Sequence, residues 1–127
     1  MRDFRTLQAW QRSHSLALAV YKITRPFPPE EMYGLRSQLR RSSASVPTNI
    51  AESCGTDGGL DMARFLQMAM RSASEADYQL LLARDLGYVS DDAYEPIEKE
   101  VAVTKRVLNA LIRKVRSDAR RQPRANG

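Results

Sequence analysis

The sequence predicts an all-α fold, an antiparallel up-down-up-down four-helix bundle. Apolar residues recur at three- and four-residue spacing through four segments, and breaks rich in proline or glycine separate them. The connections are short, which favours antiparallel neighbours. No run reads as a strong strand, and no internal repeat is visible.

The first helix is expected over residues 6–24, with Leu7, Trp10, Ala17 and Tyr21 near one face and His14, Leu18 and Val20 flanking it. "RPFPPEE" ends it, because proline lacks the N–H that a helix interior needs. The same prolines suit the start of a second helix over 29–53, where Glu30 and Glu31 favour the positive end. Leu35, Leu39, Ser42, Val46 and Ile50 mark its inward face. Pro47 crowds the carbonyl of Ser43 and is expected to bend it. "CGTDGG" supplies the exit.

The third helix, over 60–86, turns Phe65, Ala69, Ser72, Ala76, Leu80, Ala83 and Leu86 inward, with Leu66, Met68, Ala73 and Leu82 nearby. Its small residues at 69, 72, 73 and 76 permit a close neighbour, and Gly87 stands where a C-terminal cap belongs. Ser90 then caps a fourth helix whose first turn holds Asp91 and Asp92. Ile97, Val101, Thr104, Leu108, Leu111 and Val115 form its face. Pro96 either delays its start by a turn or bends it.

A chain of 127 residues has room for one core. The expected division is a bundle over 1–115 and a flexible basic tail over 116–127. Residues 113–127 hold five arginines and one lysine against one aspartate, which equals the whole formal charge of +5. Such a tail attracts RNA, DNA or an acidic membrane surface, or is simply a solvated end. With one cysteine there is no intramolecular disulfide, and no apolar run is long enough to span a bilayer. A cytoplasmic location without membrane association is the expectation.

Catalytic equipment is thin. His14 is the only histidine, and Cys54 lies at a helix end that does not activate a thiol. Glu52, Glu75 and Asp77 occur without the Glu-x-x-His motif of carboxylate-bridged metal bundles. Glu52 and Glu75 are instead expected to pair with Arg36, Arg40 or Arg41 across a helix pair. "CGTDGG" lacks the lysine and spacing of a phosphate loop. No enzyme activity, no cofactor and no metal are therefore expected. Trp10, Tyr21, Tyr33, Tyr78, Tyr88 and Tyr94 are many rings for a thin bundle, so they mark either a subunit interface or half-buried helix ends.

"FRTLQAWQRSHSLALAVYKIT", "FPPEEMYGLRSQLRRSSASVPTNIAES" and "RFLQMAMRSASEADYQLLLARDLGYVSDDAY" together resemble the four-helix-bundle family named for proteins encoded in intervening sequences of bacterial 23S ribosomal RNA genes. The pattern falls on Leu7, Trp10 and Tyr21, then Phe27, Pro28, Glu31, Tyr33, Gly34, Leu35, Gln38, Arg40 and Arg41. Asn49, Ile50, Ala51 and Glu52 form its "NIAE" element, and Phe65, Leu66, Ser72, Glu75, Leu86, Gly87 and Tyr88 complete it. The chain departs from it with Ser53 where glycine is usual, "TDGG" in place of basic residues, and Asp77 in place of glutamate.

The resemblance implies a small bacterial protein that assembles into a ring, a pentamer. It is also similar to the accessory proteins of diversity-generating retroelements, which implies a reverse transcriptase and nucleic acid as partners. The expected function is a non-catalytic, homo-oligomeric accessory protein that binds RNA or DNA through basic surfaces; the alternative is an oligomeric scaffold for a protein partner. Candidate nucleic-acid contacts are Arg36, Arg40, Arg41, Arg113, Lys114, Arg116, Arg120, Arg121 and Arg124. Candidate structural or interface residues are Trp10, Tyr21, Tyr33, Asn49, Glu52, Glu75, Tyr78 and Tyr88.

Overall fold

The computed structural model describes residues 2–121. Four helices, α1 (Gln8–Ile23), α2 (Leu35–Ser53), α3 (Gly59–Asp85) and α4 (Asp91–Arg121), form the predicted bundle, with short 3-10 turns at Phe4–Thr6 and Pro29–Glu31. Each helix packs on its sequence neighbours, and α4 closes on α1, so the four stand in a square. There are no strands among the described residues.

Local chemistry sets the helix ends. The Phe4–Thr6 turn is capped by Asp3, which accepts from the Arg5 N–H at 3.0 Å. After α3, Gly87 takes a left-handed φ of 82°. The Tyr88 N–H reaches back to the Ala83 carbonyl and the Gly87 N–H to that of Arg84, each at 2.9 Å, which satisfies carbonyls the helix end would otherwise orphan. Ser90 caps α4 through the Ala93 N–H at 3.2 Å. Pro96 lies inside α4 on an exposed turn, where water reaches the carbonyl it leaves free, so the helix starts at Asp91 and is not delayed.

The second helix differs from its expected start. Pro29–Glu31 form only a 3-10 turn, and α2 begins at Leu35 because Gly34 leaves the helical region at φ −106°, ψ −119°. Glu31 bridges the break: its Oε1 accepts the Leu35 N–H at 3.0 Å and its Oε2 accepts the Tyr88 hydroxyl at 2.9 Å. The helix then continues through Pro47.

The core is built in two apolar layers. One holds Leu16, Val20, Leu39, Leu80 and Val101, and the other Val46, Ile50, Leu66, Leu108 and Ile112. Fully buried Ser13, Ser43 and Thr104 lie between these layers along the chain. Between α2 and α3 the small residues act as the sequence predicts, with Ala69, Ala73 and Ala76 each 0% exposed. The α2 serines turn their hydroxyls onto backbone carbonyls three residues back, as Ser43 does to Arg40 and Ser53 to Ile50. Ser42 donates to Gln79 Oε1 at 2.6 Å, and Ser45 meets Ser72 at 2.9 Å.

The inward face of α1 is a correction. Ala9, Ser13, Leu16, Ala17 and Val20 are buried, whereas Leu18 is 59% and Tyr21 43% exposed. The helix has two apolar stripes, and only one can face the core. Leu86, expected inward on the third helix, instead caps α3 and is exposed. The expected boundary at residue 115 falls inside α4, and the last turns of α4 pack on the body. A Cβ on Gly59 would lie 2.8 Å from that of Ala119.

Candidate functional site

On the side of α2 turned away from the core, Ser37, Ala44, Thr48 and Ala51 are small and share one line. A low ridge beside α1 leaves a groove between the two helices. Its two compartments, of about 750 Å³ and about 570 Å³, adjoin at Tyr21, Ala44 and Thr48, which line both. One compartment is lined by Met32, Arg36, Arg40 and Arg41, and the other by Phe4, Trp10, His14, Leu18, Pro47 and Glu52. Of the side chains expected on the core face of α1, Trp10 and Tyr21 thus form a groove wall, whereas Ala17 is buried and Leu7 packs beside the core.

Arg40 is fixed in place. Its Nε donates to Thr24 Oγ1 at 2.8 Å and an Nη to the Tyr21 carbonyl at 3.0 Å, while the guanidinium lies 4.8 Å from the Tyr21 ring centroid. A cation here neutralises carbonyls at the negative end of α1. Partial burial, and then the positive charges of Arg36 and Arg25, hold the Arg40 pKa below its ordinary value. The group remains a cation, but one surrounded by like charge.

The expected pairing of these arginines with Glu52 or Glu75 does not form. Among the described residues, no ion pair involves Arg36, Arg40 or Arg41. Glu52 sits at the far, apolar end of the groove. Glu75 is exposed and accepts only a 3.4 Å hydrogen bond from Gln79. Arg36 and Arg41 therefore present their charge to the groove with no carboxylate among its basic lining.

In the apolar compartment, Phe4 meets Trp10 edge-to-face at 5.0 Å, and Trp10 stacks on His14 at 4.8 Å with 10° between the planes. Trp10 is half-buried and His14 exposed, so the stack opens to solvent at the imidazole. Tyr33 is 91% exposed in the turn leading to Arg36.

The remaining candidates are scattered. Asn49 is structural: it is buried, and its Nδ2 donates to the Ser45 carbonyl at 2.9 Å and to Ser45 Oγ at 3.0 Å. Tyr88 packs on Phe27 and bonds Glu31; that bond is the main reason its phenol is held above its ordinary pKa. Tyr78 is 62% exposed on the outer side of α3. Arg113, Lys114, Arg116, Arg120 and Arg121 lie toward the end of α4, and Arg120 and Arg121, in its last turn, suit the negative helix end. Because α2 and α4 run parallel, these residues lie at the opposite end of the bundle from Arg36. Arg124 lies outside the described residues.

Sequence reasoning named the groove's arginines but missed Leu18 and His14 as its wall. The available signal was a second apolar stripe on α1, at Ala9, Ser13, Leu16 and Val20, which leaves the aromatic stripe without a place in the core. Among the described residues, no three His, Cys, Asp or Glu side chains are grouped to hold a metal ion, and no helix is long and apolar enough to cross a membrane.

A solved protein of unknown function from the S23 ribosomal protein family, from Bacteroides thetaiotaomicron VPI-5482, shares this fold with a TM-score of 0.74 at 23% identity, covering 82% of this chain and 97% of that one. No curated protein matches the chain. The family model for the 23S rRNA-intervening sequence protein matches residues 5–110, which takes in α1, α2, α3 and most of α4. The chain belongs to the 23S rRNA-intervening sequence protein family.

Proposed function

We propose that this chain is a non-catalytic, self-associating accessory protein that holds nucleic acid along the α1–α2 groove. The observation that carries the reading is the set Arg36, Arg40 and Arg41, gathered on one groove with no carboxylate among the basic lining. Phosphates are the anions that such a set attracts, and Arg40, already anchored, gives up little freedom in meeting one. The arginines at the end of α4 form a separate basic end whose charge also suits the helix dipole, so they are the secondary contact.

Anisotropy of a labelled RNA or DNA at rising salt tests this. If three arginines neutralise three phosphates, affinity should fall by about twentyfold for a single strand, and about fortyfold for a duplex, between about 50 and 200 mM salt. Replacing Arg36 and Arg41 with glutamine should flatten that dependence by roughly two phosphate contacts. Salt-independent binding, or none, refutes the reading.

Self-association rests on the outer stripe of α3, where Met68, Tyr78 and Leu86 are exposed within one side of the helix. Light scattering distinguishes the 14.4 kDa chain from a ring of five at about 72 kDa. The alternative, a scaffold for a protein partner, is favoured by the exposed Leu18 in the apolar compartment. It gains if binding is to protein and insensitive to Arg36 and Arg41.

A further inference from the structure

We infer that the groove takes a single-stranded nucleic acid, with phosphates on Arg36, Arg40 and Arg41 and an unstacked base laid on the open face of His14. The inference rests on the nucleic-acid reading above and sharpens it. A duplex turns phosphates outward and keeps its bases stacked inside. It could use the arginines, but the neighbouring apolar compartment would give it nothing. A single strand carries both chemistries side by side, and its bases need an aromatic or apolar cover.

The groove has the same two-part character. Its basic and apolar compartments meet at Tyr21, Ala44 and Thr48. From Arg36 to Glu52 it follows α2 for about 24 Å at 1.5 Å per residue, enough for a short run of nucleotides. The Phe4–Trp10–His14 stack ends in an exposed imidazole and so lacks its outer member. One side of the Tyr21 ring is taken by Arg40, so His14, with Leu18 beside it, is the available platform. Exposed Tyr33 offers a second platform at the arginine end. Glu52 closes the apolar end with a negative charge, which keeps the phosphates toward the arginines.

Trp10, the sole tryptophan, lies directly under His14 and reports occupancy. The probes are an oligouridylate and an oligothymidylate of about a dozen nucleotides, and a duplex of the same length. Both single strands should bind, quench Trp10 and outcompete the duplex by about tenfold. His14→Ala should weaken single strands by about tenfold and leave the duplex unchanged. Leu18→Glu, a change at an exposed position, should abolish single-strand binding while the circular dichroism stays that of the native chain. A difference between the two oligonucleotides would assign the strand to RNA or DNA and would still support the inference.

Equal affinity for duplex and single strand, with His14→Ala silent, overturns the stacking inference but leaves the basic groove as a phosphate site. No binding by any probe at low salt overturns both. Quenching of Trp10 by an acidic amphipathic peptide but by neither oligonucleotide makes the occupant a protein, which also overturns both.

Discussion

Replacing Ser42 with alanine tests how α2 is held to α3. The Ser42 hydroxyl has one proton and two acceptors within reach, Gln79 Oε1 at 2.6 Å and the Leu39 carbonyl at 3.1 Å. The shorter contact takes the proton. Both side chains are buried, so Ser42→Ala leaves the Gln79 oxygen dry and unpaired, at a cost of about 1–3 kcal/mol. Gln79→Leu should cost less, under about 1 kcal/mol, because the hydroxyl falls back on Leu39 and only a long bond to Glu75 is lost. The double variant should then be close to Gln79→Leu alone, so the coupling should equal the whole Ser42→Ala loss, about 1–3 kcal/mol. Urea unfolding of the four chains at one protein concentration measures it, and a chain of this size should show the single loss as a melting shift of about 4 °C per kcal/mol. If Ser42→Ala is neutral, or the effects add within about 0.3 kcal/mol, the serine contact is incidental and the small α3 residues alone set the packing.

Other consequences are simpler to read. Gly34→Ala should lower the melting temperature, because its Cβ would sit 2.6 Å from Glu31 Oε1 and displace the carboxylate from the Leu35 N–H. Glu31 is held below its ordinary pKa of 4.5, first by the Leu35 N–H and then by the Tyr88 hydroxyl. Its contribution is therefore complete above pH 4.5 and lost as pH falls through its lower folded value. Melts taken downward from neutral pH should show this loss in the native chain and not in Glu31→Gln. Leu66→Ala, at a position with no exposure, should cost about 2–5 kcal/mol in urea unfolding. A loss below about 1 kcal/mol would mean that the layer around it is loosely packed.

Four helices, most of their ends and the inward face of α2 follow from the order of residues alone. Those features are local: Gly87 admits a left-handed φ, Ser90 caps, and Leu35, Leu39, Val46 and Ile50 recur at helical spacing on a segment with only one apolar side. The start of α2 was harder, because Glu31 and Gly34 act together across a break that the prolines alone do not indicate. The mistaken Glu52 pairing was partly legible, since Glu52 lies twelve residues along the same helix from Arg40, about 18 Å away. That Arg40 would use Thr24 and the Tyr21 carbonyl was not legible, because those partners come from another helix. The choice between the two apolar stripes of α1 is made by packing. Periodicity says that a face is apolar, but which face is buried depends on the helices packed beside it. Ala9, Leu16 and Val20 fit the square of neighbours, and the bulkier Trp10, His14, Leu18 and Tyr21 were left to wall a groove.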